Sequence, residues 1–284
     1  MRLTSDWHIH SVASCDCRST GMSVAEIAAG AAAQGITDFG LTDHLHTRLN
    51  LPDLRASRQA FLASDPSPRF HFGVEATCLR QWEVDEIAAG RVTGDYGAAH
   101  DEGPAGGPLV IDLTAADVEE LGIEYVIGAA HGAKGTAKER WPIIEAHFRQ
   151  YLFLAAHPLV DILAHPWWWS SGFANPDGSF STLPWFDDFR VIPRTMHEEL
   201  AAALVQYGTA AEINPGVALT WHYPQAWKQQ YIEYMAWLKS RGVKLATGSD
   251  RHLRPYDSRY SELAPLLESV GIRDEDLWRL PPRP

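Results

Sequence analysis

The stretch Asp6-Trp7-His8-Ile9-His10 places two histidines one residue apart near the start of a 284-residue chain. On an extended strand, side chains two residues apart point to the same face. Such a pair offers two imidazoles to one metal ion; alone, it would suit a half-buried strand equally well. Its weight comes from where the other histidines and acids fall. His44, Glu75, His131, His165, Asp250 and His252 all lie at the carboxyl end of a segment that reads as a strand. Scattered structural histidines would not choose one end of so many strands. Imidazole mixed with carboxylate suits zinc, manganese or iron, and the ligand types do not choose among the three. His46, two residues beyond His44, reads as a loop histidine, with a ligand role as the alternative. His71, His100, His147, His157, His197 and His222 show no such placement and read as structural or solvent-facing.

Positioning these groups falls to an alternation of strands and helices. Ser23-Val24-Ala25-Glu26 is a capping box that opens an alanine-rich helix, with Gly35 as its stop. A strand is predicted over 36–42, running into Asp43-His44, then a helix over 52–63 and a strand over 69–76 carrying Glu75. Residues 77–112 break the rhythm with seven Gly and Pro positions between 94 and 108 and read as an insertion of loops with a hairpin, not as a domain. A helix begins at Thr114 and a strand over 124–130 ends at His131. A helix over 138–156 follows, and a strand over 161–164 ends at His165. Residues 166–192 form an aromatic-rich loop. Helices over 193–207, 225–241 and 259–270 alternate with strands over 209–213 and 243–247. About seven strand-then-helix units imply a parallel sheet, and this many favour closure into a barrel. No Gly-x-Gly-x-x-Gly follows the first strand, so a dinucleotide fold has no support.

Composition bounds the remaining classes. The chain is 45% hydrophobic and 21% charged, as an ordinary globular protein is. Its net charge is −12, without a basic run or stripe, which argues against a nucleic-acid surface. No apolar run is long enough to span a membrane, and residues 1–20 lack the pattern of a signal peptide. Three cysteines, Cys15, Cys17 and Cys78, do not make a disulfide framework. The expectation is a single barrel over 1–284, cytoplasmic, with reduced thiols and an oligomeric state that the sequence does not specify.

Six motifs, in order, carry a resemblance. Asp6-x-His8-x-His10-Ser11, Leu41-Thr42-Asp43-His44, Gly73-Val74-Glu75, Ile127-Gly128-Ala-Ala-His131, Ala164-His165-Pro166 and Gly248-Ser249-Asp250-Arg-His252 are similar to those of the PHP (polymerase and histidinol phosphatase) superfamily, and they span nearly the whole chain. The resemblance implies an α/β fold, a distorted (β/α)7 TIM-like barrel with two or three divalent metal ions. It implies His8, His10, Glu75 and Asp250 as ligands of the first ion. Asp16, His44 and His252 would hold the second, and Glu75, as a bridge, would join His131 and His165 on the third. Asp16 lies between Cys15 and Cys17, and the two thiolates are the competing ligands there. The implied activity is metal-dependent hydrolysis of a small phosphomonoester, histidinol phosphate or a nucleotide or sugar phosphate. Clustered ions about 3.5–4 Å apart hold the attacking hydroxide, so no protein nucleophile is required.

Other residues have paired readings. Asp43 either orients His44 or relays a proton, or it is a strand-end carboxylate bonding nearby backbone. Arg18, Lys134 and Arg251 lie close in sequence to expected ligands and are the cations available to a phosphate; solvated surface charges are the competing reading. Trp167, Trp168 and Trp169 follow His165-Pro166 directly; they either wall the pocket and stack on a substrate ring, or cap the barrel. Histidinol phosphatases of the family commonly carry an arginine shortly after the Glu-x-Asn of the sixth strand. Glu212-Ile213-Asn214 has none after it, which counts against histidinol phosphate. Two further functions stay in view. One is a non-catalytic barrel that uses metal for structure or binds a partner. The other is an amidohydrolase-like hydrolase, whose bridging lysine has no counterpart where Glu75 stands.

Overall fold

The Ser23 hydroxyl accepts from the Glu26 amide while the Glu26 carboxylate accepts from the Ser23 amide, and this reciprocal cap starts helix α1 (Val24–Gln34). Gly35 ends it in the left-handed region at φ 71°, a conformation glycine adopts without a Cβ clash. The computed structural model describes residues 1–91, 103–133, 135–137, 139–168, 188–219 and 224–281. Its strands are β1 (Ser5–Asp6), β2 (Asp38–Leu41), β3 (His44–Leu45), β4 (Phe70–Thr77), β5 (Leu79–Arg80), β6 (Leu109–Val110), β7 (Tyr125–Ala129), β8 (Ile162–Leu163), β9 (Ala210–Ile213) and β10 (Leu245–Thr247). Between them lie α2 (Leu51–Ala63), α3 (Gln81–Ala88), α4 (Ala115–Leu121), α5 (Arg140–Ala156), α6 (Arg194–Tyr207), α7 (Pro215–Ala218), α8 (Gln225–Ser240) and α9 (Tyr260–Ser269).

The parallel order β1-β2-β4-β7-β8-β9-β10 gives seven staves, with β3 paired to β4 beyond the end of β2. The ring closes between its first and last staves. The Trp7 amide donates to the Thr247 carbonyl at 2.9 Å, the Asp250 amide to His8 at 2.7 Å and the His10 amide to Arg251 at 3.1 Å. The architecture is therefore the (β/α)7 TIM-like barrel expected from the alternation. β1 is shorter than the expected 6–10. Past Asp6 the amide partners alternate: Trp7 donates to the Thr247 carbonyl, but the Ile9 amide donates to the Thr42 side chain, not to a strand carbonyl. β3 and α7 are elements the sequence pattern did not show. Within 77–112, the described residues form α3 and an antiparallel ribbon of β5 and β6.

Two apolar layers fill the molecule. The outer one joins staves to helices and includes Ile27, Leu54, Phe72, Ile144, Leu204, Met235 and Leu263. The inner one closes the barrel floor. Trp7 and Tyr125 lie there among Ile127, Ala164, Ala210 and Ala246, and the small side chains make room for the rings. Trp278 meets Trp7 edge-on at 5.0 Å and seals the amino end of the staves. The Tyr125 hydroxyl donates to the Trp7 carbonyl at 2.6 Å and fixes the residue before His8. No helix among the described residues is long and apolar enough to cross a membrane. No disulfide joins Cys15, Cys17 and Cys78.

His71 on β4 sits between Glu124 at 2.9 Å and Asp38 at 3.2 Å and ties three neighbouring staves at the floor. Burial lowers its pKa, but hydrogen bonds with the two carboxylates outweigh burial and raise it to about 9. A raised histidine contributes stability that is complete below its unfolded pKa of about 6.5 and is lost as pH rises through its folded value. The stability advantage of the wild type over His71→Gln should therefore be largest near pH 6 and shrink toward pH 9.5. Denaturant unfolding at the two pH values checks this; an equal difference at both would refute it.

Candidate metal centre

All the strand-end histidines and acids picked out by the sequence meet at the carboxyl mouth of the barrel. Glu75 is wholly buried on β4, its backbone in register with His44 on one side and Ile127 on the other. Its Oε2 lies 3.1 Å from His8 Nε2 and 3.4 Å from His10 Nε2. Asp250 Oδ1 faces the same two nitrogens at 3.5 and 3.2 Å. These four residues can offer atoms that all lie within 4.8 Å of one another, enough to surround one ion. A second group stands at the rim. Asp16 Oδ2 is 3.2 Å from His44 Nε2 and 3.0 Å from His252 Nε2, and those nitrogens are 3.3 Å apart. Glu75 Oε1 makes the third, 3.1 Å from His131 Nε2 and 3.4 Å from His165 Nε2. His44 links two groups, since its Nδ1 lies 2.7 Å from Glu75 Oε2.

The donor set fits divalent cations. His8 Nε2, His10 Nδ1 and Nε2, His44 Nδ1, Glu75 Oε2 and His165 Nε2 are buried polar atoms without a hydrogen-bond partner. So many orphaned lone pairs in one place are rare in folded proteins unless a cation satisfies them. Protonation follows the same logic. Burial pushes Glu75 up, yet the charges of His8, His44 and His131 outweigh this and hold it well below the usual carboxylate range. Burial likewise pushes Asp16 and Asp250 up, and neighbouring imidazoles bring both down: His252 and His44 for Asp16, His8 and His252 for Asp250. All three stay ionised at neutral pH, the form that ligates. His10 is lowered well below its ordinary value by burial and by His252 and His44. His8 is lowered by burial but raised more by Glu212, Glu75 and Asp250.

Supporting groups orient these side chains. His8 Nδ1 is 2.6 Å from Glu212 Oε1, and Glu212 Oε2 accepts from the His165 amide at 2.7 Å. Asn214 Nδ2 donates to Asp250 Oδ2 at 3.3 Å. His252 Nδ1 faces the Asp250 carbonyl at 2.8 Å, which leaves Nε2 toward Asp16. Gly248 makes the packing possible: a Cβ there would stand 2.0 Å from Glu212 Oε1 and 2.6 Å from His8 Cβ. His165 and Asp250 leave their strands in the left-handed region, at φ 24° and 52°, a costly conformation that turns each side chain into the mouth. Glu212 and Asn214 entered the sequence reading only through the arginine that does not follow them, with no role at the site. The signal was present, because residues two apart on a buried stave share a face.

Asp43 accepts from the Ser11 amide and hydroxyl at 2.5 and 2.6 Å and from the Ser57 hydroxyl at 2.6 Å. It anchors the backbone that follows His10, and its hydrogen bonds do not run to the His44 ring. The Cys17 thiol donates to Asp16 Oδ1 at 3.3 Å, and burial with the Asp16 charge pushes its pKa up, away from the thiolate form. Arg18 pairs with Asp53 at 2.8 Å, and Arg251 Nε donates to the carbonyls of Leu253 and Pro255. Neither contact is with the cluster. Of the two readings given for Trp167, pocket wall or barrel cap, its burial favours the second. It is fully buried, T-shaped against Tyr151 at 5.0 Å, with φ 64° turning it into the core. Trp168 is the ring that meets His165, edge-on at 4.8 Å. Lys134, Trp169, His100 and His222 lie outside the described residues.

No protein-family model matches the sequence, and no curated protein matches it significantly. Among solved structures, the fold is similar to a histidinol phosphate phosphatase from Lactococcus lactis subsp. lactis Il1403, complexed with zinc, L-histidinol and phosphate. The TM-score is 0.59 at 14% identity, covering 95% of this chain and 94% of that one. At that identity the likeness is one of fold. A Xaa-Pro dipeptidase with bound methionine (TM-score 0.42, 14% identity, 95% of this chain and 71% of that one) and a zinc-bound amidohydrolase from Burkholderia multivorans (0.45, 14%, 97% and 96%) are too distant to add to it.

Removing the charge of Glu212 while keeping its shape should loosen His8. Glu212→Gln is expected to weaken metal binding about 10- to 100-fold, the usual scale for a partner behind a ligand. Titration against a chromophoric chelator reads it; unchanged affinity would show that His8 needs no such support.

Proposed function

We propose that this protein is a metal-dependent hydrolase acting on a small phosphomonoester. The observation that carries the reading is the convergence of eight nitrogen- and oxygen-bearing residues around a ninth, the shared carboxylate Glu75, at the open end of a barrel. His8, His10, Glu75 and Asp250 would hold one ion, Asp16, His44 and His252 another, and Glu75 with His131 and His165 a third. Such ions, zinc, manganese or iron, supply charge neutralisation to a phosphoryl group and acidify water at neutral pH when bound.

The chain's own residues set the geometry for this. Glu75, His8 and His10 are fully shielded and form the floor. The side chains of Asp16, His252 and His131 are 28%, 28% and 22% exposed, so a phosphate reaches the site from the Asp16–His252–His131 side. Phosphoryl transfer asks mainly for positioning and charge stabilisation, which a rigid ring of ligands on strand ends provides. The order of the six motifs, like that of the PHP superfamily, and the similar fold of a phosphatase support a phosphoester over a C–N substrate. The missing arginine after Asn214 supports a nucleotide or sugar phosphate over histidinol phosphate.

Metal analysis of the purified protein should find bound divalent ions. A panel of nucleoside monophosphates, sugar phosphates and histidinol phosphate should show phosphate release that a chelator abolishes and zinc or manganese restores. Glu75→Gln should lose both the ions and the turnover. No bound ion together with no release under either metal would overturn the reading; hydrolysis of amides in place of esters would move it to the amidohydrolase class.

A further inference from the structure

Behind the ligand His131 stands a chain of hydrogen bonds that no ligand assignment includes. Thr77 is the last residue of β4, two positions after Glu75, and its side chain is buried on the same face. Its hydroxyl lies 2.9 Å from His131 Nδ1 and 2.8 Å from His46 Nδ1. His46 follows β3 by one residue. Its ring stacks on His44 at 4.5 Å and meets His131 edge-on at 5.4 Å.

A hydroxyl has one proton to give, so the two imidazoles flanking Thr77 cannot both accept from it. His131 Nε2 is the atom turned toward Glu75, at 3.1 Å. If that nitrogen gives its lone pair to a cation, the neutral ring carries its proton on Nδ1. That N–H then donates to the Thr77 oxygen, the Thr77 hydroxyl donates to His46 Nδ1, and His46 carries its proton on Nε2.

We infer that Thr77 and His46 are positioning residues that lock His131 in its metal-binding tautomer through the relay His131 Nδ1–H to Thr77 Oγ1–H to His46 Nδ1. The inference rests on the proposed metal centre and assigns His46, for which a ligand role was the alternative to a loop histidine, a place behind His131 and Thr77 rather than on the ions. Neutral donors also suit this spot. Carboxylates already crowd the centre, and a hydroxyl fixes a tautomer without adding charge.

Two-bond proton–nitrogen spectra of the histidine-labelled, zinc-loaded protein test the relay directly, because the two tautomers of a neutral imidazole give distinct nitrogen shifts. His131 should carry its proton on Nδ1 and His46 on Nε2. Thr77→Val, which keeps the shape and removes the hydroxyl, should weaken zinc binding about 10- to 100-fold by chelator competition. Thr77→Ser should restore it. His46→Asn, whose amide oxygen can accept where Nδ1 did, should bind more tightly than His46→Leu. A His46 proton on Nδ1 in the loaded protein, or Thr77→Val with wild-type affinity, overturns the relay while leaving the metal centre standing. Wild-type protein that takes up neither zinc nor manganese nor iron overturns the metal centre and the relay together.

Discussion

Glu75 is a shielded carboxylate whose two oxygens face five imidazoles, those of His8, His10, His44, His131 and His165, at 2.7–3.4 Å. Removing such a charge from water costs on the order of several kcal/mol unless partners of opposite charge surround it. The barrel meets that demand by bringing the imidazoles in from four strand ends, with His8 and His10 sharing one, so no single local segment could do it. The same demand explains why the centre is polar throughout and why the apolar packing begins below it, at Trp7 and Tyr125. A carboxylate so enclosed cannot relax toward solvent, and its geometry is set by the barrel rather than by side-chain preference.

Around Glu75 the support is graded. Glu212 steadies His8 and the turn at His165, Asn214 steadies Asp250, and Asp43 steadies the backbone beyond His10. These groups are held by neighbouring strands or by the start of a helix, as Asn214 is by the Gly216 amide at the head of α7. Side chains on strand ends with partners on strands leave few soft torsions, so the cluster is rigidly held. The left-handed backbone at His165 and Asp250 shows the cost of aiming a side chain from a strand end into the mouth.

Much of this was legible in the sequence. The alternation of strand and helix patterns led to a barrel of seven staves, and the residues of the cluster were visible because they recur at the same end of the strands. What stayed hidden depends on direction and on long-range pairing. Asp43 reads identically whether it bonds His44 or Ser11 and Ser57, and only the fold brings Ser57 to it. Arg18 and Arg251 are near ligands in sequence, but their guanidinium contacts run to Asp53 and to backbone carbonyls. Three consecutive tryptophans give no sign of which ring turns inward; the left-handed residue at Trp167 decides it. β3 is two residues long, too short for any periodic pattern, yet it is what sets His46 beside Thr77.

The seam that closes the barrel runs through the site itself. His8 and His10 belong to the first stave, Asp250 and His252 to the turn after the last, and backbone hydrogen bonds join them directly. Synthesis from the amino end therefore delivers Glu75 and most of the imidazoles well before Asp250 exists. Until the final stave arrives, the interior has an unzipped flank and the buried carboxylate has no dry enclosure. Shutting the cylinder and bringing Asp250 and His252 to the other acids and imidazoles are thus one event, and a cation held by both flanks would act as its clasp.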